Sequence, residues 1–173
     1  SDANKEYIGE VTLGTRTDTL DSTGVPLVAS SAIVCEAEIL KAFDRFEGSI
    51  HQLPPMYSAK KINGRKLYDL ARQGLTVERK PREVYIYEME ILNNFNNRKV
   101  LFRTLCSKGT YIRTICDDVG EALGTYGHMS FLLRTSVCGL KINQSYGMDI
   151  LRELSSKELE KVIIPMEIGR AHV

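Results

Sequence analysis

The strongest constraint on the fold is a pair of alternating segments separated by an asparagine-rich break. From Glu83 to Leu92, Tyr85, Tyr87, Met89 and Ile91 occupy every second position. Arg98 to Cys106 resumes the extended pattern after Asn93-Asn94 and Asn96-Asn97. Period-two alternation puts such side chains on one face of a strand, so the two segments predict an antiparallel hairpin. Lys5 to Leu13 alternates as well, with Tyr7, Val11 and Leu13 on one side and Glu6, Glu10 and Thr12 on the other. Residues 127–139 supply a further strand.

Helical spacing appears elsewhere. Ile39, Leu40, Phe43 and Phe46 recur within Glu36–Glu47, and Gly48 supplies a stop. Residues 110–123 carry Ile112, Ile115, Cys116, Val119, Ala122 and Leu123 on one face, closed by Gly124. Short helices are expected around 148–154 and 156–162, with Ser155 or Ser156 as N-cap, and a polar loop over 15–24. Strands and helices do not alternate regularly. The expected class is therefore α+β, a mixed, mainly antiparallel sheet flanked by helices.

Charge is concentrated in one place. Residues 60–82 hold eight basic side chains against Asp69 and Glu78, a local net charge of +6 on a chain whose total is +1, which leaves −5 elsewhere. Such an arm suits a polyanion, because neutralised phosphates release counterions. A solvated helix face would carry the same charge. The flanking Pro54-Pro55-Met56-Tyr57-Ser58 and the internal Tyr68 favour the polyanion, since a rigid turn and a stacking ring add to the cations what a nucleic-acid grip needs.

Several classes are set aside. No run of 18 apolar residues offers a bilayer-spanning helix. Cys35, Cys106, Cys116 and Cys138 form no CxxC pair and no metal spacing, and read as reduced thiols of a cytoplasmic protein. Neither His51 nor His128 has triad partners, and no Gly-rich phosphate loop is present. Asp117 and Asp118 point about 100° apart on their helix and do not read as one metal site.

Chemistry concentrates at CSKGTYIRT, residues 106–114, where a strand end meets a helix start. Gly109 frees the turn, Thr110 is expected to cap the helix, and unpaired N–H groups favour an anion. Arg113 sits in the first turn, where a cation opposes the helix dipole. A bound carboxylate or phosphate accounts for it through a bidentate fork; simple pairing with a nearby Asp or Glu is the alternative. Tyr7 by position alone reads as a core tyrosine, and FLLR, residues 131–134, as strand core.

Taken together, KEYIGEVTLGTRTDTLDSTG, FEGSIHQLPPMYSAKKINGRKLYDLARQG, CSKGTYIRTICDDVGEALG and HMSFLLRTSVCG occur in one order over about residues 5–140. In these blocks the chain resembles the TruB-type tRNA pseudouridine synthases, isomerases that act on the T-loop uridine. The resemblance implies that Tyr7 stacks on the flipped base, Tyr111 lines the uracil pocket, Arg113 pairs with a nucleophilic aspartate, and Leu132 packs against the base. It implies an RNA-gripping thumb over about 52–82 that includes Tyr57, Lys60, Lys61, Arg65, Lys66 and Arg72, with Lys108 and Arg134 as further RNA contacts. The implied partner is the tRNA T arm, with no metal, cofactor or membrane, and a monomer is expected.

One family block is missing. The catalytic aspartate of these enzymes lies in a GxLDPxAxG-like segment, and no Leu-Asp-Pro occurs here; Asp18 and Asp21 belong to a different block. Residue 133 is Leu where many members carry a second Arg. The expectation is a single partial catalytic domain over 1–173, with a helical tail over about 147–173 and no typical PUA-type domain after residue 140, inactive alone. The competing expectation is a non-catalytic RNA-binding module for the T arm.

Overall fold

The computed structural model describes residues 4–62 and 64–162. The side chains of Lys61 and Ile62 and the last stretch of the predicted tail, 163–173, lie outside the described residues. In chain order the strands and helices are β1 (Lys5–Leu13), β2 (Thr15–Thr17), β3 (Pro26–Ala29), α1 (Glu36–Asp44), β4 (Gly48–Gln52), β5 (Lys61–Ile62), β6 (Arg65–Lys66), α2 (Leu67–Arg72), β7 (Arg82–Phe95), β8 (Lys99–Cys106), α3 (Ile112–Ala122), β9 (Gly127–Val137), β10 (Leu140–Lys141), α4 (Met148–Glu153) and α5 (Ser156–Val162). Two units separate, Ser1–Lys141 and Ile142–Val173. The second contains α4 and α5, where Ser155 accepts the Glu158 N–H through its carbonyl and donates its own N–H and hydroxyl to the Glu158 carboxylate.

The first unit is built on one antiparallel sheet of order β10-β9-β1-β8-β7-β4, in line with the α+β expectation. Strand β8 shows how the alternation works. Val100, Phe102, Thr104 and Cys106 are buried, and between them Arg103 reaches the other face, where it pairs with Glu6, Glu88 and Glu90 at 3.2, 2.8 and 2.9 Å. Helices α1 and α3 cover the inner face. Their Ile39, Phe43, Ile112, Ile115 and Val119 join Val11, Ile86 and Phe102 in one core, with Phe43 edge-on to Phe102 at 5.3 Å.

The hairpin exists, with two corrections. The first strand runs on to Phe95, past the expected end at Leu92, and the second starts at Lys99, one residue after Arg98. Asn96 and Asn97 take positive φ, and Asn94 exchanges hydrogen bonds with Asn97, so the break shrinks to a tight turn after Phe95. The face is also misread. Val84 and Ile86 point inward while Tyr85 and Tyr87 are exposed, because a register shift between Ile86 and Glu88 inserts one residue and reverses the phase before Met89 and Ile91. The expected polar loop over 15–24 contains β2, which pairs with β3 as a small separate ribbon.

Two glycines set how α3 lies on the sheet. A Cβ at Gly9 would come within 2.8 Å of the fully buried Phe102 ring and 3.3 Å of an Ile112 methyl. A Cβ at Gly120 would meet the Tyr126–Gly127 backbone at 2.2 Å. The helix start therefore rests on β1 and its end on the backbone leading into β9. On the helix itself, Asp117 pairs with Arg16 at 2.7 Å. Burial first, and the neighbouring Asp117 charge second, push the Asp118 carboxyl up to about 6.

Gly9→Ala is expected to destabilise the unit by about 1–3 kcal/mol, the typical effect of forcing a methyl into a filled core, read as a lower urea midpoint at unchanged slope. Asp118 carries the opposite sign to a stabilising carboxylate. Its folded pKa is raised, so the folded state binds the extra proton and loses stability as pH rises from about 4 to about 6. Asp118→Asn should leave the unfolding temperature nearly unchanged at pH 4 and raise it at pH 7; thermal scans at the two values check this.

Candidate RNA-modifying site

The register of β1 assembles one side of the site. Tyr7 is paired with Arg134 on β9 and Thr104 on β8, and Gly9 with Leu132 and Phe102. Directly paired residues share a face, so Tyr7, Leu132 and Arg134 stand on the face that carries α3, around the glycine under Ile112. Burial, the first cause, and the Cys106 charge raise the Tyr7 hydroxyl above its usual pKa against the hydrogen bond from Arg134. Leu132 is 40% exposed, an apolar side chain left open beside Tyr7.

The other side is the start of α3. Thr110 does not cap the helix: its hydroxyl donates back to the Ser107 carbonyl at 2.9 Å, and Tyr111 is the N-cap residue with no side-chain cap. The Tyr111 N–H, expected to be open to an anion, is taken by the Gln52 Oε1 at 3.0 Å. The Gly109 turn is packed against Arg82, whose guanidinium lies where a Cβ at Gly109 would project and donates to the Lys108 carbonyl at 3.2 Å.

Arg113 is held from three directions. Its Nη1 donates to the Thr19 carbonyl at 3.2 Å and to Asp21 Oδ2 at 3.1 Å, and its Nη2 donates to the Tyr57 carbonyl at 2.6 Å. Its side chain is 23% exposed. The simple pairing with a nearby acid thus occurs, and the acid is Asp21, to which the sequence reading gave no role. Asp21 Oδ1 accepts from the Thr19 and Thr23 hydroxyls and the Thr23 N–H, at 2.8, 2.6 and 3.0 Å. Burial pushes its carboxyl up, but those hydrogen bonds and the Arg113 charge outweigh it and hold it below the usual range. The loop is tied to β9 by Ser22 N–H to the Met129 carbonyl and Met129 N–H to the Leu20 carbonyl, each at 3.0 Å. The signal for Asp21 was present in Thr19-Leu20-Asp21-Ser22-Thr23, two threonine hydroxyls spaced to load one carboxylate.

The basic arm is ordered around its own contacts. Lys66 and Arg72 lie over the Tyr68 ring at 5.3 and 5.4 Å, so this ring serves the arm's own cations. Arg65 donates to Gln73 at 2.9 Å. Lys60 is half-buried; the Lys61 side chain lies outside the described residues. Tyr57 reaches the site through its carbonyl on Arg113, and its hydroxyl stands 3.5 Å from Asp18. A cleft of about 620 Å³ is lined by Arg16, Asp18, Met56, Thr114, Asp117 and Asp118 among others; Tyr7, Tyr111, Arg113 and Leu132 do not line it. Among the described residues no helix is long and apolar enough to cross a membrane, and no cluster of His, Cys, Asp or Glu could hold a metal ion.

The model for the TruB family pseudouridylate synthase (N terminal domain) matches residues 1–112, and that for the tRNA pseudouridylate synthase B C-terminal domain matches 113–169. The chain is 45% identical over 172 residues to tRNA pseudouridine synthase B of Alkaliphilus oremlandii and 42% identical over 178 aligned positions to that of Streptococcus pyogenes. Both alignments span 99% of the chain, which covers 56% and 60% of those proteins. Among solved structures it is similar to a chain of a Cbf5-Nop10-Gar1 complex, at 29% identity and a TM-score of 0.62, over 86% of this chain and 35% of that one. A chain of an H/ACA RNP bound to a substrate RNA containing 2'-deoxyuridine matches at 27% identity and a TM-score of 0.55, over 84% of this chain and 32% of that one. The family model alone matches more than half of the chain, and the chain belongs to the TruB family of pseudouridylate synthases.

Proposed function

We propose that this chain supplies the base-binding wall and RNA grip of a synthase that converts the T-loop uridine of tRNA to pseudouridine. The reaction breaks the N1–C1′ bond, turns the uracil, and forms a C5–C1′ bond. C5 loses a proton and N1 gains one, so atoms balance without a co-reactant. The observation that carries the reading is Arg113, held by Tyr57, Thr19 and Asp21 at the start of the helix that rests beside Tyr7 and Leu132.

Removing the uridine from the T loop costs a few kcal/mol of stacking. Tyr7 and Leu132 supply replacement contacts, and stacking on an aromatic ring is worth about 1–3 kcal/mol per base. Tyr111 forms the pocket edge. The nucleophile is a carboxylate on a Leu-Asp-Pro segment, which this chain lacks, so the chain alone is inactive. Three of the five guanidinium N–H donors of Arg113 are used by its named partners. Nε–H and one Nη2–H remain for that carboxylate, and an opposite charge within about 4–6 Å lowers an acid's pKa by about 1–3 units. Asp21, with Oδ1 filled by Thr19 and Thr23 and Oδ2 on Arg113, anchors the arginine rather than attacking. Lys60, Lys61, Arg65, Lys66 and Arg72 take phosphates of the T arm, with Lys108 and Arg134 nearer the base. The exposed free thiols of Cys35 and Cys138 support a reducing, cytoplasmic setting, and we read the protein as a monomer.

A non-catalytic T-arm binder is the second reading. Its support is that the charge of Arg113 is already matched by Asp21 within the chain. Wild-type full-length protein that binds tRNA without producing pseudouridine would favour it.

In the full-length protein, Arg113→Ala is expected to lower the single-turnover rate of isomerisation by about 100-fold or more, the usual effect of losing one preorganised electrostatic partner, with tRNA affinity within twofold. Equal losses in rate and affinity would contradict the assigned role. Lys60→Ala and Lys61→Ala should each weaken tRNA binding and reduce the slope of log K against log salt by about 0.7–0.9. A salt titration with an unchanged slope returns these lysines to a solvated surface.

A further inference from the structure

Gln52 is the last residue of β4 and is fully buried. A buried primary amide must find partners for both ends, because each unsatisfied group costs about 1–3 kcal/mol. Gln52 finds both on one distant residue. Its Oε1 accepts the Tyr111 N–H at 3.0 Å and its Nε2 donates to the Tyr111 carbonyl at 3.2 Å. The side-chain amide thus does for Tyr111 what a neighbouring strand would do, at the place where α3 has no side-chain cap.

The clamp is half of a closed circuit. Two residues beyond Tyr111, Arg113 donates to the carbonyl of Tyr57, five residues beyond Gln52. Residues 52–57 and 111–113 are therefore joined at both ends. The link between Gln52 and Tyr57 contains buried Pro54 and Pro55, whose fixed φ removes freedom, and Arg79 holds the Pro54 carbonyl at 2.9 Å. The Tyr111 carbonyl also accepts the Thr114 and Ile115 N–H groups at 3.1 and 3.2 Å. The first turn of α3 consequently takes its position from Gln52.

We propose that Gln52 is a positioning residue, whose amide, through the Tyr111 backbone, sets the Tyr111 ring and the Arg113 guanidinium in register with the flipped uracil. This inference rests on the synthase reading above. Gln52 touches neither base nor nucleophile. Its action is geometric, and a displacement of about 1 Å at a reacting centre costs on the order of 100-fold in rate.

The experiment uses full-length protein and an unmodified tRNA transcript. Gln52→Glu keeps the acceptor toward the Tyr111 N–H but loses the donor toward its carbonyl, and Gln52→Leu removes both at similar volume. For each variant that retains the wild-type circular dichroism spectrum at the assay temperature, the single-turnover rate is expected to fall about 10- to 100-fold, with tRNA affinity within twofold. The Tyr111 amide should also exchange with solvent at least tenfold faster than in wild type. Should Gln52→Leu fail to fold, Gln52→Glu alone decides. A folded variant with a rate within twofold of wild type, or with rate and affinity falling together, overturns the positioning role. Wild-type protein that forms no pseudouridine overturns the synthase reading and, with it, the role assigned to Gln52.

Discussion

The close approach of α3 to β1 at Gly9 is the contact on which the arrangement depends. Only a residue without a side chain lets the Ile112 methyl and the Phe102 ring meet over the central part of the sheet. Because that helix begins there, Tyr111 and Arg113, which flank Ile112, belong to the end of the helix that rests on β1. The packing is dense, so the position is discrete. A buried core transmits such a constraint because it has no free volume in which to absorb a shift.

Electrostatics then decides what the helix start can hold. A guanidinium in the first turn opposes the dipole, and a mostly buried one must be compensated. The chain compensates it with two carbonyls and one carboxylate drawn from segments 56, 92 and 94 residues away. Asp21 is itself loaded with three hydrogen bonds, so it stays ionised and fixed. The result is a cation anchored through Nη1 and one Nη2 donor, with its charge matched by Asp21. An arginine held in this way has little side-chain entropy left to lose.

Local periodicity made the β1, β8 and α3 elements readable, because each buries a regular face. It failed where long-range chemistry overrides pattern. Tyr85 and Tyr87 alternate as a core face should, yet a bulge near Tyr87 hands that role to Val84 and Ile86. Thr110 has the right type and place for a cap, but the Ser107 carbonyl competes for its hydroxyl. The family blocks named Tyr7, Tyr111, Arg113 and Leu132, and none of that could have shown Asp21 or Gln52 at work. Each acts across more than 50 residues of sequence, and a side-chain amide serving another residue's backbone leaves no periodic trace.

The same long-range contacts tie the basic arm to the start of α3. The arm leaves the sheet at Gln52 and returns at Arg82, and both ends of its root are tied to the segment that carries Arg113: Gln52 and Tyr57 directly, Arg82 through the turn at Gly109. Arg79 bridges the outgoing and returning chains at Pro54. A force on the arm therefore meets a braced root, not a hinge. With the root braced, the position of the arm and the position of Arg113 are not independent variables.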